Sequence, residues 1–195
     1  GNKIKFSPVK EVALNNNIEV LQPLKIKDKS VVEQLESYNA DVFIVVAYGQ
    51  ILSEHILNIP KLGCINVHGS ILPKYRGSAP IQWAIINGEK TTGVTIMYMD
   101  KGVDTGDMIL KSEIEINEED TSGFLHEKLS VLGAETLIKA LDEIETGVSK
   151  REKQNDGEAT YAKMISKDLG HIDFNKTSDE IINLIRGLNP WPSAY

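Results

Sequence analysis

The chain has one cysteine in 195 residues, so no internal disulfide framework can form. A lone thiol fits a reducing compartment and sets the expectation of a cytoplasmic protein. Cys64 lies in an apolar run and reads as a small core residue before a nucleophile. No apolar run approaches the ~20 residues that a membrane-crossing helix requires, so no membrane partner is expected. No secretory leader is visible, although the chain starts at Gly1 rather than Met. Glycines are never spaced as GxGxxG after a strand or as GxxxxGK, which argues against dinucleotide and P-loop sites; Gly102 and Gly106 flank Asp104 without that spacing. His55, His68, His126 and His171 are scattered and form no HisXXXHis pair, so no metal is expected. Basic residues are the minority: 21 Lys and Arg face 28 Asp and Glu, a formal net charge of −7 that disfavours a surface gripping nucleic acid as a whole. Lys25, Lys27 and Lys29 read as solvated, whereas Lys3, Lys5 and Lys10 are equally a local basic face or ordinary surface.

What is present is an alternation of helices and strands without repeats or low-complexity linkers. Ser7-Pro8 opens a helix to about Asn15, with Ser7 as N-cap and Pro8 at the first helical position. Ile18–Leu21 reads as a short strand, and Ser30 with Glu33 as a capping box for the next helix. Asp41–Ala47 is continuous and β-branched, the pattern of a strand buried on both faces. Gly63–His68 is the next strand; Pro80 opens a helix closed by Gly88 and containing Trp83, read as core. Strands follow at Thr92–Met99 and Met108–Ile116. The longest helix, Thr121–Thr146, carries Leu125, Leu129, Leu132, Leu137, Leu141 and Ile144 on one stripe and stops at Gly147. Residues 149–160 form the one long loop candidate, and Thr177 with Glu180 caps a helix ending near Leu188. The fold class is α/β: three layers around one central, mostly parallel sheet, with later strands antiparallel or mixed. Ligands in such sheets sit outside the carboxyl ends of the strands.

Two stretches concentrate polar chemistry at those ends. Residues 63–73 run from a buried strand into a Gly-Ser turn and Pro73, and period-two alternation points Asn66 and His68 the same way. Residues 99–108 offer Asp104 on a Gly-rich loop after another strand. An imidazole of pKa ~6.5 exchanges protons at neutral pH, and a nearby Asp104 would favour its charged form and fix its tautomer. An amide such as that of Asn66 can stabilise a developing oxyanion, a contribution of roughly 2.7–4 kcal/mol. Spacing alone leaves a satisfied structural histidine equally open.

The residues also carry a resemblance. Asn66-Val-His68-Gly-Ser-Ile-Leu-Pro73 with Asp104 resembles the Asn, His, Asp triad of the 10-formyltetrahydrofolate-dependent formyltransferases. Ser7-Pro-Val-Lys10, Ala47-Tyr-Gly49, Tyr75-Arg-Gly-Ser-Ala-Pro-Ile-Gln82, Thr92-Gly-Val-Thr-Ile96, Asp104-Thr-Gly-Asp107, Ala159-Thr-Tyr-Ala162 and Asn189-Pro-Trp-Pro192 resemble the branch that formylates methionyl-initiator-tRNA. Sugar-amine formyltransferases share the Arg-Gly-X-Ala-Pro turn and are the nearer alternative, with an amino sugar as acceptor; a folate-binding module without turnover is the other.

The resemblance implies a Rossmann-like formyltransferase fold, 10-formyltetrahydrofolate as cosubstrate, and a monomer. Asn66 and His68 would polarise the formyl group, and Asp104 would hold His68 and relay protons through a water. Ser70, Ile71, Leu72 and Pro73 would form the folate-binding turn, with Ile71 where the family usually has Leu. Tyr48, Gly49, Ile51 and Leu52 on one side and Asp100 and Val103 on the other would wall the pterin. Residues 1–195 would be a partial catalytic domain. A strand, a helix, a second strand and a basic tRNA-entering loop would precede it, with Lys3 and Lys5 as that loop's remnant. A C-terminal β-barrel that also holds tRNA would follow Tyr195.

Overall fold

The computed structural model describes residues 5–195. Lys3 of the basic cluster lies outside them. Lys10 stands 4.1 Å from the centroid of the Phe6 ring, and its amine donates to Gln22 Oε1. No helix of the described residues is long and apolar enough to cross a membrane.

The helices are α1 (Pro8–Asn15), α2 (Lys29–Ser37), α3 (Glu54–Leu57), α4 (Pro80–Ile86), α5 (Ser122–Glu145) and α6 (Ser178–Gly187). The strands are β1 (Phe43–Val45), β2 (Cys64–His68), β3 (Arg76–Gly77), β4 (Thr91–Tyr98), β5 (Met108–Glu115) and β6 (Tyr161–Ala162). Helix α1 begins as expected, with Ser7 Oγ accepting from the Lys10 amide at 3.3 Å. Helix α2 does not: it starts before Ser30, with Asp28 at the cap position and no side-chain cap bond. The Val31 and Val32 amides go to the Asp28 carbonyl, and Glu33 is drawn to Lys29 at 3.6 Å, one turn back, instead of to the Ser30 backbone.

Ile18–Leu21 is no strand, because among the described residues no neighbouring strand offers it a ladder. The run 41–47 is likewise shorter and more open than its sequence suggests. Only Phe43–Val45 pairs, with β2 on one side, and Ile44 and Val46 are exposed. Apolarity states how much burial a segment could use; the neighbours decide how much it gets.

The main sheet has the order β1-β2-β4-β5. Only β1 and β2 run parallel; β2–β4 and β4–β5 are antiparallel, so the sheet of the described residues is mixed rather than mostly parallel. The loop 99–107 between β4 and β5 is too short for the crossover of a dozen or more residues that a parallel pair needs. A second sheet, not expected from the sequence, pairs β3 with β6 in parallel, Arg76 opposite Tyr161 and Gly77 opposite Ala162.

The two faces of the main sheet have different fates. Ile65, Val94 and Ile96 are buried in the apolar clusters that α5 completes with Leu125, Leu129, Ala140 and Ile144. Each large side chain buried there contributes about 1.5–3 kcal/mol. Helix α5 packs tightly at Gly133, where an added Cβ would lie 3.2 Å from Val67 Cγ1. Alternation sends Asn66, His68, Thr95 and Met97 to the opposite face, with Asn66 beside Met97 and His68 beside Thr95. Helix α6 carries the expected Thr177–Glu180 capping box and packs with α4 around Ala79, Ile165 and Leu188. Trp83, expected in the core, is half-buried against this cluster, its indole donating to the Lys163 carbonyl at 2.7 Å. The irregular tail braces the start of α5, where the Asn189 carbonyl accepts from the Gly123 amide and the Ser122 hydroxyl.

Gly93 ties this fold to the site. A Cβ at this β4 position would fall 2.0 Å from the Ser112 carbonyl oxygen and 2.5 Å from Ile71 Cδ1. Its absence lets the turn after β2 settle onto the sheet. Gly93→Ala is expected to cost about 1–3 kcal/mol by overpacking, read as a lower urea midpoint; an unchanged midpoint would show that the turn does not rest on this glycine.

Candidate active site

The turn that follows β2 is held from beneath. Thr95 Oγ1 donates to the Ser70 carbonyl at 2.7 Å and accepts from the Leu72 amide at 3.1 Å, while Ser70 Oγ donates to the Lys74 carbonyl at 2.6 Å. Leu72 packs against Met97 and Met108. Of the four turn residues singled out from the sequence, Ser70 and Leu72 are therefore buried and committed, and Ile71 and Pro73 are half-buried.

His68 is buried, and its Nε2 lies 2.9 Å from the Tyr75 carbonyl oxygen. A carbonyl can only accept, so Nε2 carries the proton. Nδ1 then faces Asp104 Oδ2 at 3.6 Å, beyond a hydrogen bond. The tautomer is thus set by Tyr75 and not, as the sequence suggested, by Asp104; the carboxylate faces the nitrogen that is free to take up a proton. Tyr75 holds this position at φ +59° because both its ends are tied. Its amide donates to Thr160 Oγ1 at 2.8 Å; its phenol donates to Glu89 Oε1 at 2.6 Å and accepts from Asn87 Nδ2 at 3.1 Å. Burial first, and the Glu89 carboxylate second, push that phenol up to about 12.

Asp104 also has a left-handed backbone, φ +54°. Its Oδ2 accepts from the Gly77 amide at 2.8 Å, and its carbonyl accepts from Gln154 Nε2 at 2.8 Å. Asp100 organises the same loop, its Oδ1 accepting from the Gly102 amide and the Thr105 hydroxyl. Gly106 is obligatory there, since a Cβ would lie 1.9 Å from the Tyr98 carbonyl oxygen. Val103 is exposed at the loop's crest. On the other side, Val45 of β1 pairs with Asn66, so the segment carrying Tyr48, Gly49, Ile51 and Leu52 leaves the sheet beside that residue. Tyr48, Gly49 and Ile51 are exposed and Leu52 is buried. The structure therefore brings His68 and Asp104 together, sets Asn66 on the same face, and flanks them with both expected loops. Cys64, at the start of β2, directs its thiol to the Ile56 and Leu57 carbonyls; burial pushes it up to about 11, unsuited to nucleophilic attack.

Tyr75, Arg76 and Thr95 stand in the motifs that carry the resemblance, but their supporting roles escaped sequence reasoning, and Gln154 escaped it altogether. Tyr75 and Arg76 adjoin the Pro73 turn, but nothing in the sequence states that a backbone carbonyl will fix an imidazole. Gln154 acts across 50 residues.

The formyl transferase family model matches residues 1–141, and the model of the formyl transferase C-terminal domain matches residues 164–195. The chain belongs to the formyl transferase family. The second match covers α6 and the tail, which pack on α4. Among this family's curated proteins, the chain is 60% identical over 195 residues to a methionyl-tRNA formyltransferase of Clostridioides difficile and 56% identical to one of Alkaliphilus metalliredigens. All of this chain aligns in both, and it spans 63% and 62% of their lengths. Among solved formyltransferases, a 4-N formyltransferase from Francisella tularensis superposes with a TM-score of 0.77 at 27% identity, covering 95% of this chain and 75% of that one. An N-formyltransferase from Helicobacter canadensis, solved with folinic acid and dTDP-3-aminofucose, gives a TM-score of 0.71 at 29% identity, covering 91% of this chain and 62% of that one. These matches carry the Rossmann-like α/β fold of the family over nearly the whole chain.

The Tyr75 phenol has a pH signature. The fold favours its neutral form, so that contribution is complete below the unfolded value of 10 and declines as pH rises from 10 through about 12. Urea unfolding of wild type and Tyr75→Phe should therefore converge across that interval; parallel curves would assign the alkaline loss to another group.

Proposed function

We propose that this formyltransferase moves the formyl group of 10-formyltetrahydrofolate to the α-amine of methionine on initiator tRNA, giving formylmethionyl-tRNA and tetrahydrofolate. The observation that carries the chemistry is the His68 imidazole, protonated on Nε2 by its bond to Tyr75 and open on Nδ1 toward Asp104. The acceptor is supported by the relatives, whose name specifies methionyl-tRNA and whose identity to this chain reaches 60%. A folate donor is supported by two solved relatives, both 29% identical, one with folinic acid and one in the presence of 5-N-formyl-THF.

In this reading the amine nitrogen attacks the formyl carbon, the new C–N bond forms, and the carbonyl electron pair moves onto oxygen. The Asn66 amide donates to that oxyanion. Nδ1 of His68 takes the proton that the amine sheds. The resulting imidazolium and Asp104 Oδ2 close from 3.6 Å to a charge-assisted hydrogen bond. As the oxyanion collapses, the bond to the folate N10 breaks and N10 receives the proton. Ile71 and Pro73 on one side, Tyr48, Gly49, Ile51 and Leu52 on another, and Asp100 and Val103 above would contain the pterin, with Ser70 and Leu72 contributing backbone. Residues 1–195 are read as the catalytic part of a monomeric, cytoplasmic enzyme.

A second reading keeps the donor and changes the acceptor to an amino sugar, because the solved relatives include sugar N-formyltransferases. The test follows formyl label from 10-formyltetrahydrofolate into methionine-charged initiator tRNA, with a free amino sugar as competitor. Label is expected in the tRNA. His68→Asn and Asp104→Asn should each lower kcat by about 10²–10⁴-fold, the usual weight of a positioned acid–base group, while folate affinity changes little. Label in the sugar alone would overturn the acceptor, and full turnover by Asp104→Asn would overturn the mechanism.

A further inference from the structure

We infer that Gln154 is a positioning residue for the Asp104 carboxylate, an inference that rests on the reading of Asp104 as His68's acid–base partner. Residues 151–158 are exposed except for Gln154, whose side chain turns inward. Its Nε2 gives both protons to the Asp104 loop, one to the Asp104 carbonyl and one to the Gly106 carbonyl, each at 2.8 Å. Its Oε1 accepts from Arg76 Nε at 2.9 Å. This arrangement admits one orientation only. A flipped amide would set its oxygen against two carbonyl oxygens and its NH2 against a guanidinium N–H.

The contacts close a ring around the site. Three consecutive residues reach three different members of it. The Tyr75 carbonyl takes the His68 Nε2 proton, the Arg76 side chain meets Gln154, and the Gly77 amide meets Asp104 Oδ2. Among the described residues, Gln154 is the one side chain that joins the Asp104 backbone to this segment. It is itself braced: Glu152 exchanges two backbone hydrogen bonds with Met108, and Asp156 pairs with buried Arg76 at 2.8 Å.

What this bracing opposes is the backbone of Asp104. At φ +54° a side-chain-bearing residue sits where L residues rarely rest and persists only when its surroundings over-determine it. The two amide protons of Gln154 fix the carbonyls at and just beyond that residue, and so the direction in which its carboxylate leaves the chain. Without them the Asp104 peptide relaxes and Oδ2 swings from its place facing Nδ1.

The experiment uses the full-length protein, with Gln154→Leu, which keeps the bulk without the donors, and Gln154→Glu, which keeps the acceptor for Arg76 but sets a carboxylate against the two carbonyls. Both should lower kcat for formyl transfer to methionyl-tRNA about tenfold to a hundredfold, as expected for a misplacement near 1 Å, with KM for donor and tRNA within about threefold. In an Asp104→Ala background Gln154→Leu should cost less than about twofold more, because its effect passes through the missing carboxylate. A crystal structure of Gln154→Leu should show Asp104 Oδ2 displaced from His68. Wild-type kcat in Gln154→Glu, losses that multiply in the double variant, or an unmoved carboxylate would each overturn the inference. If the wild-type protein transfers no formyl group, the functional reading falls by itself. The displacement of Asp104 in the variant crystal then still decides whether Gln154 positions it.

Discussion

Burying an imidazole requires hydrogen-bond partners for its ring nitrogens, and the bond from His68 Nε2 to the Tyr75 carbonyl supplies the first of them. Much of the site's construction follows from it. For its carbonyl to point back at β2, Tyr75 takes a left-handed backbone, and the residue is tied at both ends to keep it there. The phenol's partners, Glu89 and Asn87, lie just beyond α4, so the helix that closes over the turn also anchors it. A hydroxyl bridge from Thr95 then fixes the first half of the same turn. A polar centre is thus made rigid by backbone hydrogen bonds, which leaves its own side chains free for chemistry.

The sheet makes this possible because its strands alternate. On β2 and β4 the residues of one face, among them Ile65, Val94 and Ile96, give their area to α5, and the intervening positions face the turn after β2 instead. Asn66, His68 and Thr95 are polar because α5 already holds the sheet from the other side. The glycines obey the same geometry: Gly133 lets α5 approach the buried face, and Gly93 lets the turn approach the polar one.

How far this was legible depended on the range of the interaction. Helix α5 and its caps, the α6 capping box and the pairing of Asn66 with His68 on one face follow from spacings of two to four residues, and the structure has them as read. Segments whose state depends on a neighbour were misread. Ile18–Leu21 and residues 41–47 are largely apolar, but pattern does not report which strands lie alongside. The α2 cap was misjudged for a local reason, since Lys29 competes for Glu33. The reading of the later strands as antiparallel or mixed is borne out by β2–β4 and β4–β5, whereas the expected majority of parallel pairs in the main sheet is not, because the direction of each strand is set by the path of the chain between them. The candidate triad was visible as three residues, but the groups that aim it lie on residues 75–77 and 154, and their separation hides them from any local pattern.

Two side-chain-bearing residues of the site, Tyr75 and Asp104, share the left-handed backbone, and each is bound to a member of the segment 75–77 or is part of it. Strain of this kind costs roughly 1–3 kcal/mol per residue and survives only in a structure that outweighs it. A relaxed chain would direct the Tyr75 carbonyl and the Asp104 carboxylate elsewhere, and the two faces of the imidazole would then be set by mobile groups or by water. Holding them against strain means that the proton on Nε2 and the carboxylate facing Nδ1 are in place before a substrate arrives. The reorganisation that such charge movement would otherwise need is then built into the fold, the feature on which preorganised electrostatic catalysis depends. A surface segment as ordinary as residues 151–158 turns one glutamine inward for the same reason: the strained residue proposed as the acid–base partner of His68 has its backbone carbonyl held there.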